Sequence, residues 1–371
     1  MSNARNLANL LNTSGEIESN KLDDNAVHGR RNLVINGAMQ VAQRGTSFTD
    51  ASGEYMLDRY RINKTNIDNL VVDVTQDTDT PDGFSSSMKF DVTTAESAIA
   101  SDERCSFEQR IEAQNLQHLQ YGTSGAKTLT LSFWVKSSVT GKYGINIRHH
   151  DANVNKGLDY TINTADTWEY KQISFTGYTP TAINNDNGIG LWLRWMLIVG
   201  TDYQNTSVED AWHTATDSYF VTTGMQSTWG TNASHNFWIT GVQLEVGEAS
   251  PFEHRSYGEE LSFCQRYYEN NYPQGSAVGT TFSNSTGSEG LSFRGSAGTA
   301  YSSITFKQVK RVAPTITIHN GVTGNTGSWR GSGSTDRATS GSGKTYSFMS
   351  NSGSSGDQLY RCAFFEADAE L

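Results

Sequence analysis

Between residues 129 and 136 the chain alternates: Leu129, Leu131, Phe133 and Val135 are apolar, and Thr130, Ser132, Trp134 and Lys136 fill the other parity. A period of two sends one set to a core face and the other outward, so this segment predicts a half-buried β-strand. The pattern returns at Tyr143, Ile145 and Ile147 after Thr140-Gly141, and in part over residues 105–113. Apolar segments at 55–62, 70–74, 86–92, 168–175, 189–199 and 237–246 read as further strands, and 33–35 as a short one stopped by Asn36-Gly37. About eight to ten short strands over roughly 220 residues predict an all-β jelly-roll sandwich. Residues 114–121 read as a loop or a helical turn.

Pro251 marks a boundary. Residues 259–268 begin as a helical turn and pass into strand, and strands follow at 291–293, 301–306, 315–318, 345–349 and 358–365. These predict a smaller, β-sandwich-like C-terminal domain over 256–371, after a jelly roll over 31–255. The Gly-rich stretch 321–343 has little apolar surface to bury and reads as a loop, mobile or ordered by neighbouring chains. Residues 1–30 differ from both. Leu7, Leu10 and Leu11 fall at i, i+3 and i+4, on one face of a short helix that residues 12–15 would end. So short a helix is marginal alone. It reads as an attachment segment packed on a partner, with a frayed terminus as the alternative.

Composition narrows the function classes. Hydrophobic content of 36% and charged content of 18% leave room for many Gly, Ser, Thr and Asn turns, which suits strands rather than a helical bundle. The net charge of −11 and the lack of any basic run argue against nucleic acid as a partner. No apolar stretch approaches the ~20 residues of a membrane span, and the opening residues lack a secretion-leader pattern. Membrane insertion is not expected. Cys105, Cys264 and Cys362 are widely separated in apolar or aromatic surroundings, which reads as buried free thiols and folding in a reducing compartment.

The search for chemistry finds no dense constellation. His149-His150-Asp151 is the most metal-like cluster, but neighbours on a strand face opposite ways. No Gly-x-Ser-x-Gly or His-Glu-x-x-His pattern occurs. Asp58, Glu108 and Glu169 are candidates for a glycosidase carboxylate pair, equally well read as surface acids. The expectation is therefore a protein without catalytic or metal-binding residues. A structural calcium ion is a candidate at Asp68, Asp73, Asp77, Asp79 and Asp82, with solvated turns as the alternative. The aromatic content, eight Trp, 16 Tyr and 16 Phe, points to binding. Trp134, Trp192 and Trp195, in strand segments, read as core or interface. Tyr203, Trp212, His213 and Trp229, in the insertion before the last strand of the jelly roll, form the expected ligand patch, since flat rings stack on sugar rings. Tyr267 and Tyr268 read as a join between the two β units.

Several short motifs occur in order. Residues 1–21, Met-Ser-Asn-Ala-Arg-Asn-Leu-Ala-Asn-Leu-Leu with Ile17-Glu-Ser-Asn-Lys21 after it, resemble the N-terminal segments of tail-fibre and related appendage proteins of marine bacteriophages. Asn32-Leu-Val-Ile-Asn-Gly-Ala-Met-Gln-Val-Ala-Gln-Arg-Gly-Thr46 and Leu57-Asp-Arg-Tyr60 resemble the opening of the carbohydrate-binding-module-like jelly roll in those fibres. Leu131-Ser-Phe-Trp-Val-Lys-Ser137, Gly241-Val-Gln-Leu-Glu-Val-Gly247, Pro251-Phe-Glu-His-Arg-Ser-Tyr-Gly-Glu-Glu260 and Cys264-Gln-Arg-Tyr-Tyr-Glu269 continue the likeness, and Arg311-Val-Ala-Pro-Thr315 extends it loosely. The resemblance implies a homotrimeric virion component, made in the host cytoplasm and placed as a tail or capsid appendage. It would attach to other virion proteins by its N-terminus and present β domains to a host surface polysaccharide. A purely structural head or tail fibre or adaptor is the alternative. Ala38 stands where an aspartate often follows Asn-Gly in that family, which weakens the calcium expectation, and no ligand-binding residue is carried over.

Overall fold

Alternation between residues 47 and 246 folds into two antiparallel sheets laid face to face. The computed structural model describes residues 30–208, 211–216, 220–282, 291–295, 298–331, 336–354 and 358–371. The segment carrying Leu7, Leu10 and Leu11 lies outside these residues. The first sheet runs in the order β1 (Ser47–Phe48), β3 (Val71–Asp77), β4 (Ser87–Thr94), β12 (Asn236–Val246), β6 (Leu129–Ser137) and β9 (Glu169–Phe175). The second runs β11 (Trp212–Thr214), β8 (Val154–Ile162), β7 (Gly141–His149), β10 (Ile189–Val199), β5 (Arg104–Glu112) and β2 (Arg61–Thr65). Successive strands repeatedly cross between the sheets, the pattern of a jelly roll.

The inward parity of each strand fills the space between the sheets. Phe90 and Phe133 from the first sheet meet Phe107, Trp195 and Tyr160 from the second, with Phe90 and Phe107 stacked at 4.7 Å and Phe107 and Trp195 at 5.2 Å. These side chains are fully or almost fully buried. Burying one such ring contributes about 1.5–3 kcal/mol. Cys105 and Cys264 are buried free thiols, and burial pushes the Cys105 thiol up to about 12.

Three segments depart from the expected elements. Residues 33–35 form no strand, because asparagine side chains replace the ladder. Asn32 Oδ1 accepts from Val34 N and Leu244 N, and Asn36, at φ 61°, bonds Val41 through both its amide atoms. The segment still lies along β12, since Leu33 N donates to Leu244 O and Val242 N to Gly37 O. Only the end of 55–62 is strand; residues 56–60 turn, with Arg59 at φ 72°. The strand β8, absent from the sequence reading, is legible as Val154, Leu158, Tyr160 and Ile162. Its pattern is interrupted by Lys156, whose amine donates to Thr176 Oγ1 at 2.8 Å.

The helix α1 (Tyr257–Gln265) follows, capped by Ser256, whose side chain accepts from Glu259 N. It leads into β13 (Tyr268–Asn270), β14 (Leu291–Gly295), β15 (Gly298–Thr305), β16 (Thr315–Asn320), β17 (Ser328–Gly331), β18 (Asp336–Gly343), β19 (Ser347–Ser354) and β20 (Gln358–Asp368), one hydrogen-bonded network centred on β20. The Gly-rich 321–343 stretch is thus not simply a loop: β17 pairs with β20, and β18 pairs with β17 and β19. Backbone pairing needs no large side chain, and that is why hydropathy missed it.

Polar and cationic contacts join this third sheet to the sandwich. Arg266 grips the buried Glu112 through two hydrogen bonds, and Tyr267 donates to the same carboxylate at 2.8 Å. Arg44 lies 3.6 Å over the Tyr268 ring and pairs with Asp368, while Arg59 pairs with Glu370. Tyr267 and Tyr268 sit at the join.

Candidate functional site

The outward parity of β6 gives Ser132, Trp134 and Lys136, and the register sets a residue of β9 and of β12 beside each ring. Trp134 is paired with Tyr170 on one side and Thr240 on the other; Lys136 is paired with Trp238. Successive outward positions are about 7 Å apart, so two aromatic rows lie one above the other on this face.

The first row opens a cleft of about 230 Å³ lined by Ser132, Trp134, Tyr170, Gly241, Pro251 and Phe252, with Ser250 at its edge. Trp134 and Tyr170 are 5.4 Å apart and inclined at 53°. Tyr170 is 44% exposed, an unusual setting for a large ring. Gly241 makes the floor. It sits at φ 63° in a bulge of β12 between Thr240 and Gln243, and a Cβ there would lie 2.7 Å from Phe84 Cζ and 3.1 Å from Trp134 Cδ1. Only glycine combines that backbone with that approach. Phe252 is held over the cleft from below. Ser250 N and Oγ donate to Glu245, Glu253 N donates to Gln243 Oε1, and the Glu253 carboxylate accepts from Arg31 N and Asn32 N. Phe84 and His254 pack on Phe252 at 5.1 and 4.9 Å.

In the second row both indole N–H groups are partnered. Trp168 donates to Asp79 at 2.9 Å and Trp238 to Asp77 at 3.0 Å. Lys136 lies 4.1 Å from the Trp238 ring, 5.4 Å from the Trp168 ring, and pairs with Asp79. The Lys136 hydrogen bond, helped by Trp168, holds the Asp79 carboxyl below the usual range against partial burial. Burial works to raise Asp77, but backbone N–H donors and Trp238 outweigh it and leave it lowered. Beside them, burial likewise opposes ionisation of Glu169, yet Lys171, Thr164 N and the Asn163 donors bring it down to about 2. The face is therefore a pinned aromatic platform with charge at one end.

The expected patch is not a common surface. Trp229 is fully buried in the main core, and Tyr203 is buried beside Phe220 at 5.9 Å. Trp212 and His213 adjoin on the edge strand β11, both half-buried. Trp212 donates to Thr176 O and leans on Tyr178, and His213 bonds Ser207 O at 2.8 Å. Trp195 is core as expected, whereas Trp134 and Trp192 face outward. Strand parity at 129–136 already placed Trp134 opposite the apolar set; the neighbours that make it a cleft come from residues far apart in sequence.

The candidate acids have other partners. Asp58 is buried and accepts from Gln43 N and Nε2, with burial raising its pKa. Glu108 pairs with Arg61 and Arg110. Of the acids considered for calcium, Asp73 accepts from Asp50 N, while Asp77 and Asp79 serve the tryptophans and Lys136. Among the described residues no group of three or more His, Cys, Asp or Glu converges as a metal site would.

Fold and site together define a jelly-roll β-sandwich with an aromatic cleft on one outer face. No protein-family model and no curated protein matches the sequence. Among solved structures, the chain is similar to the enzymatically active domain of tailspike protein 4 from bacteriophage CBA120 (14% identity, TM-score 0.32). That match covers 60% of this chain, which spans 22% of the tailspike chain. It is also similar to a putative sugar binding protein from Bacteroides thetaiotaomicron (11%, TM-score 0.33, 58% of this chain and 100% of the other). A third is a family 11 carbohydrate-binding module from Clostridium thermocellum in complex with a mixed-linked tetrasaccharide (13%, TM-score 0.28, 57% and 99%).

Proposed function

We propose that this chain recognises a host surface glycan without cleaving it, as part of a bacteriophage tail fibre or short appendage. The observation that carries the glycan reading is the cleft of Trp134, Tyr170 and Phe252 over Gly241. It offers inclined aromatic faces to the apolar side of a sugar ring, with Ser132 at the wall and Asp79 and Lys136 one row away for hydroxyls. The phage setting rests on the ordered motifs of the sequence, and a homotrimer attached through the segment of Leu7, Leu10 and Leu11 belongs to the same proposal. A structural fibre or adaptor would use these rings differently, burying Tyr170 and Phe252 between subunits.

The test is saturable binding of the assembled protein to cells of the propagating host and to their extracted polysaccharide, with Trp134→Ala and Tyr170→Ala in parallel. Binding by the wild type that both variants lose supports the cleft. Binding retained by both variants removes the cleft from the reading. An assembled protein that binds neither cells nor polysaccharide overturns recognition in favour of the structural role.

A further inference from the structure

The outer face of the second sheet carries a different constellation. Register sets Arg110, Trp192 and Arg148 side by side on β5, β10 and β7, and Glu108, Arg194 and Asn146 in the row two residues along. The guanidinium carbons of Arg110, Arg194 and Arg148 lie 4.2, 4.3 and 5.9 Å from the centre of the Trp192 ring. Arg61 reaches Glu108 from β2 at 3.5 Å. In a chain of net charge −11 this is a local reversal of sign.

The charges are poorly balanced. Glu108 serves Arg61 and Arg110, and among the described residues no carboxylate pairs with Arg148 or Arg194. Arg194 is only 5% exposed; it donates to Asn146 Oδ1 at 2.6 Å and leaves Nε without a partner. Among the described residues the Nε atoms of Arg110 and Arg148, Nε1 of Trp192 and Oε2 of Glu108 are also buried and unpartnered. Burial pulls the Arg194 guanidinium well below its ordinary pKa, against the attraction of Glu108, and Arg104, Arg148 and Arg110 add to the fall. Unpaired buried groups destabilise a fold, and so do crowded like charges. An anion arriving at the partly exposed Arg148 and Arg110 relieves the crowding of like charge.

We infer that this face is a second subsite, taking an acidic sugar of the recognised glycan through the partly exposed Arg148 and Arg110, with Arg194 buried beneath them under Phe220 and Trp192 against the sugar ring. The inference names the class of glycan and rests on the recognition reading above. Guanidinium groups match carboxylate, sulfate and phosphate oxygens in planar, paired fashion. On a chain that recognises a glycan, a sugar acid is the ligand that brings such an anion together with a ring for Trp192.

The assembled full chain is titrated calorimetrically against uronate-, sulfate- and phosphate-bearing oligosaccharides, each paired with its carboxyl-reduced or de-esterified neutral form, and against inorganic phosphate. The variants are Arg148→Gln and Trp192→Phe, each with a melting curve, beside Trp134→Ala. The expected result is a preference of about tenfold for at least one acidic form over its neutral partner. Arg148→Gln should abolish that preference while keeping neutral-sugar binding, whereas Trp134→Ala should weaken both forms together. The arm showing the preference identifies the anionic group. Equal binding of every acidic and neutral pair, or a preference that survives in Arg148→Gln, overturns the second subsite and leaves the cleft standing. Binding of inorganic phosphate alone overturns the sugar ligand, and no binding of any oligosaccharide overturns both readings.

Discussion

On the outer face of β6, β9 and β12 each indole N–H beside Lys136 has a carboxylate: Trp168 donates to Asp79 and Trp238 to Asp77. On the outer face of β5, β7 and β10 the Trp192 N–H has no partner among the described residues, and arginines stand around the ring. Both faces come from the same two-residue period and both put tryptophan outward. They differ in what the neighbouring strand brings. The first face satisfies its polar groups internally, which fixes the rings before any ligand arrives and lowers the entropy lost on binding. The second leaves Arg148 and Arg194 without a carboxylate among the described residues, and an anionic ligand is what we propose completes it. Rigid stacking and electrostatic demand are separable properties of one sandwich.

Four perturbations separate them further. Trp134→Ala should have the largest effect on ligand affinity, about 2 kcal/mol or roughly thirtyfold in Kd by titration, because it removes the central ring of the cleft. Its unfolding midpoint should change little, since the ring is half-exposed. An equal loss on removing Trp192 from a neutral sugar complex would dissolve the distinction between the faces. Gly241→Ala should destabilise the fold by about 1–2 kcal/mol in urea unfolding, through positive φ and the contact with Phe84. The same substitution should narrow the cleft and weaken neutral-sugar binding, leaving the arginine face unaffected.

Salt gives a smaller, selective effect. Going from about 0.01 M to about 1 M shortens the screening length from roughly 30 to 3 Å. Acidic ligands should weaken severalfold and neutral ligands hardly at all; equal slopes for both would refute the electrostatic half of the comparison. Acid should act in the opposite place. The folded-state pKa of Glu169, about 2, lies below its ordinary 4.5, and Asp77 and Asp79 are lowered too. Stability from these carboxylates is therefore complete above their ordinary values and is lost as pH falls through the folded ones. A shift in tryptophan emission as pH falls below about 3.8, the ordinary value of both aspartates, should report the release of Trp168 and Trp238, and Asp79→Asn should reduce it. Emission at neutral pH that is unchanged in both Asp77→Asn and Asp79→Asn would mean the pinned platform does not depend on these acids.

Much of the sandwich was legible because a strand declares itself locally. The period of two over 129–136 placed Phe133 inside and Trp134 outside without reference to any other segment. Segments failed where backbone groups found unusual partners. Residues 33–35 look like strand by hydropathy, but Asn32 and Asn36 satisfy the backbone with side chains. The chain between 321 and 343 looks like loop, but glycine and serine can pair backbone to backbone in β17 and β18 with no apolar signal. The burial of Trp229 escaped the sequence for a related reason. A tryptophan among polar residues reads as exposed, yet Trp229 is carried into the core by a turn whose polar neighbours stay outside.

From the residues alone follow the class of fold, most strand parities and the net negative charge. Tertiary structure decided which outward residues meet. Trp134, Tyr170, Gly241 and Phe252 come from separate segments. They form a cleft only because the register of β6 against β9 and β12 brings them together, and because a glycine bulge lowers the floor. The arginine cluster arises likewise, from three strands whose charges look dispersed along the chain. Periodicity is a property of neighbours in sequence, whereas stacking and electrostatics act between neighbours in space, and sheet pairing is what converts one into the other.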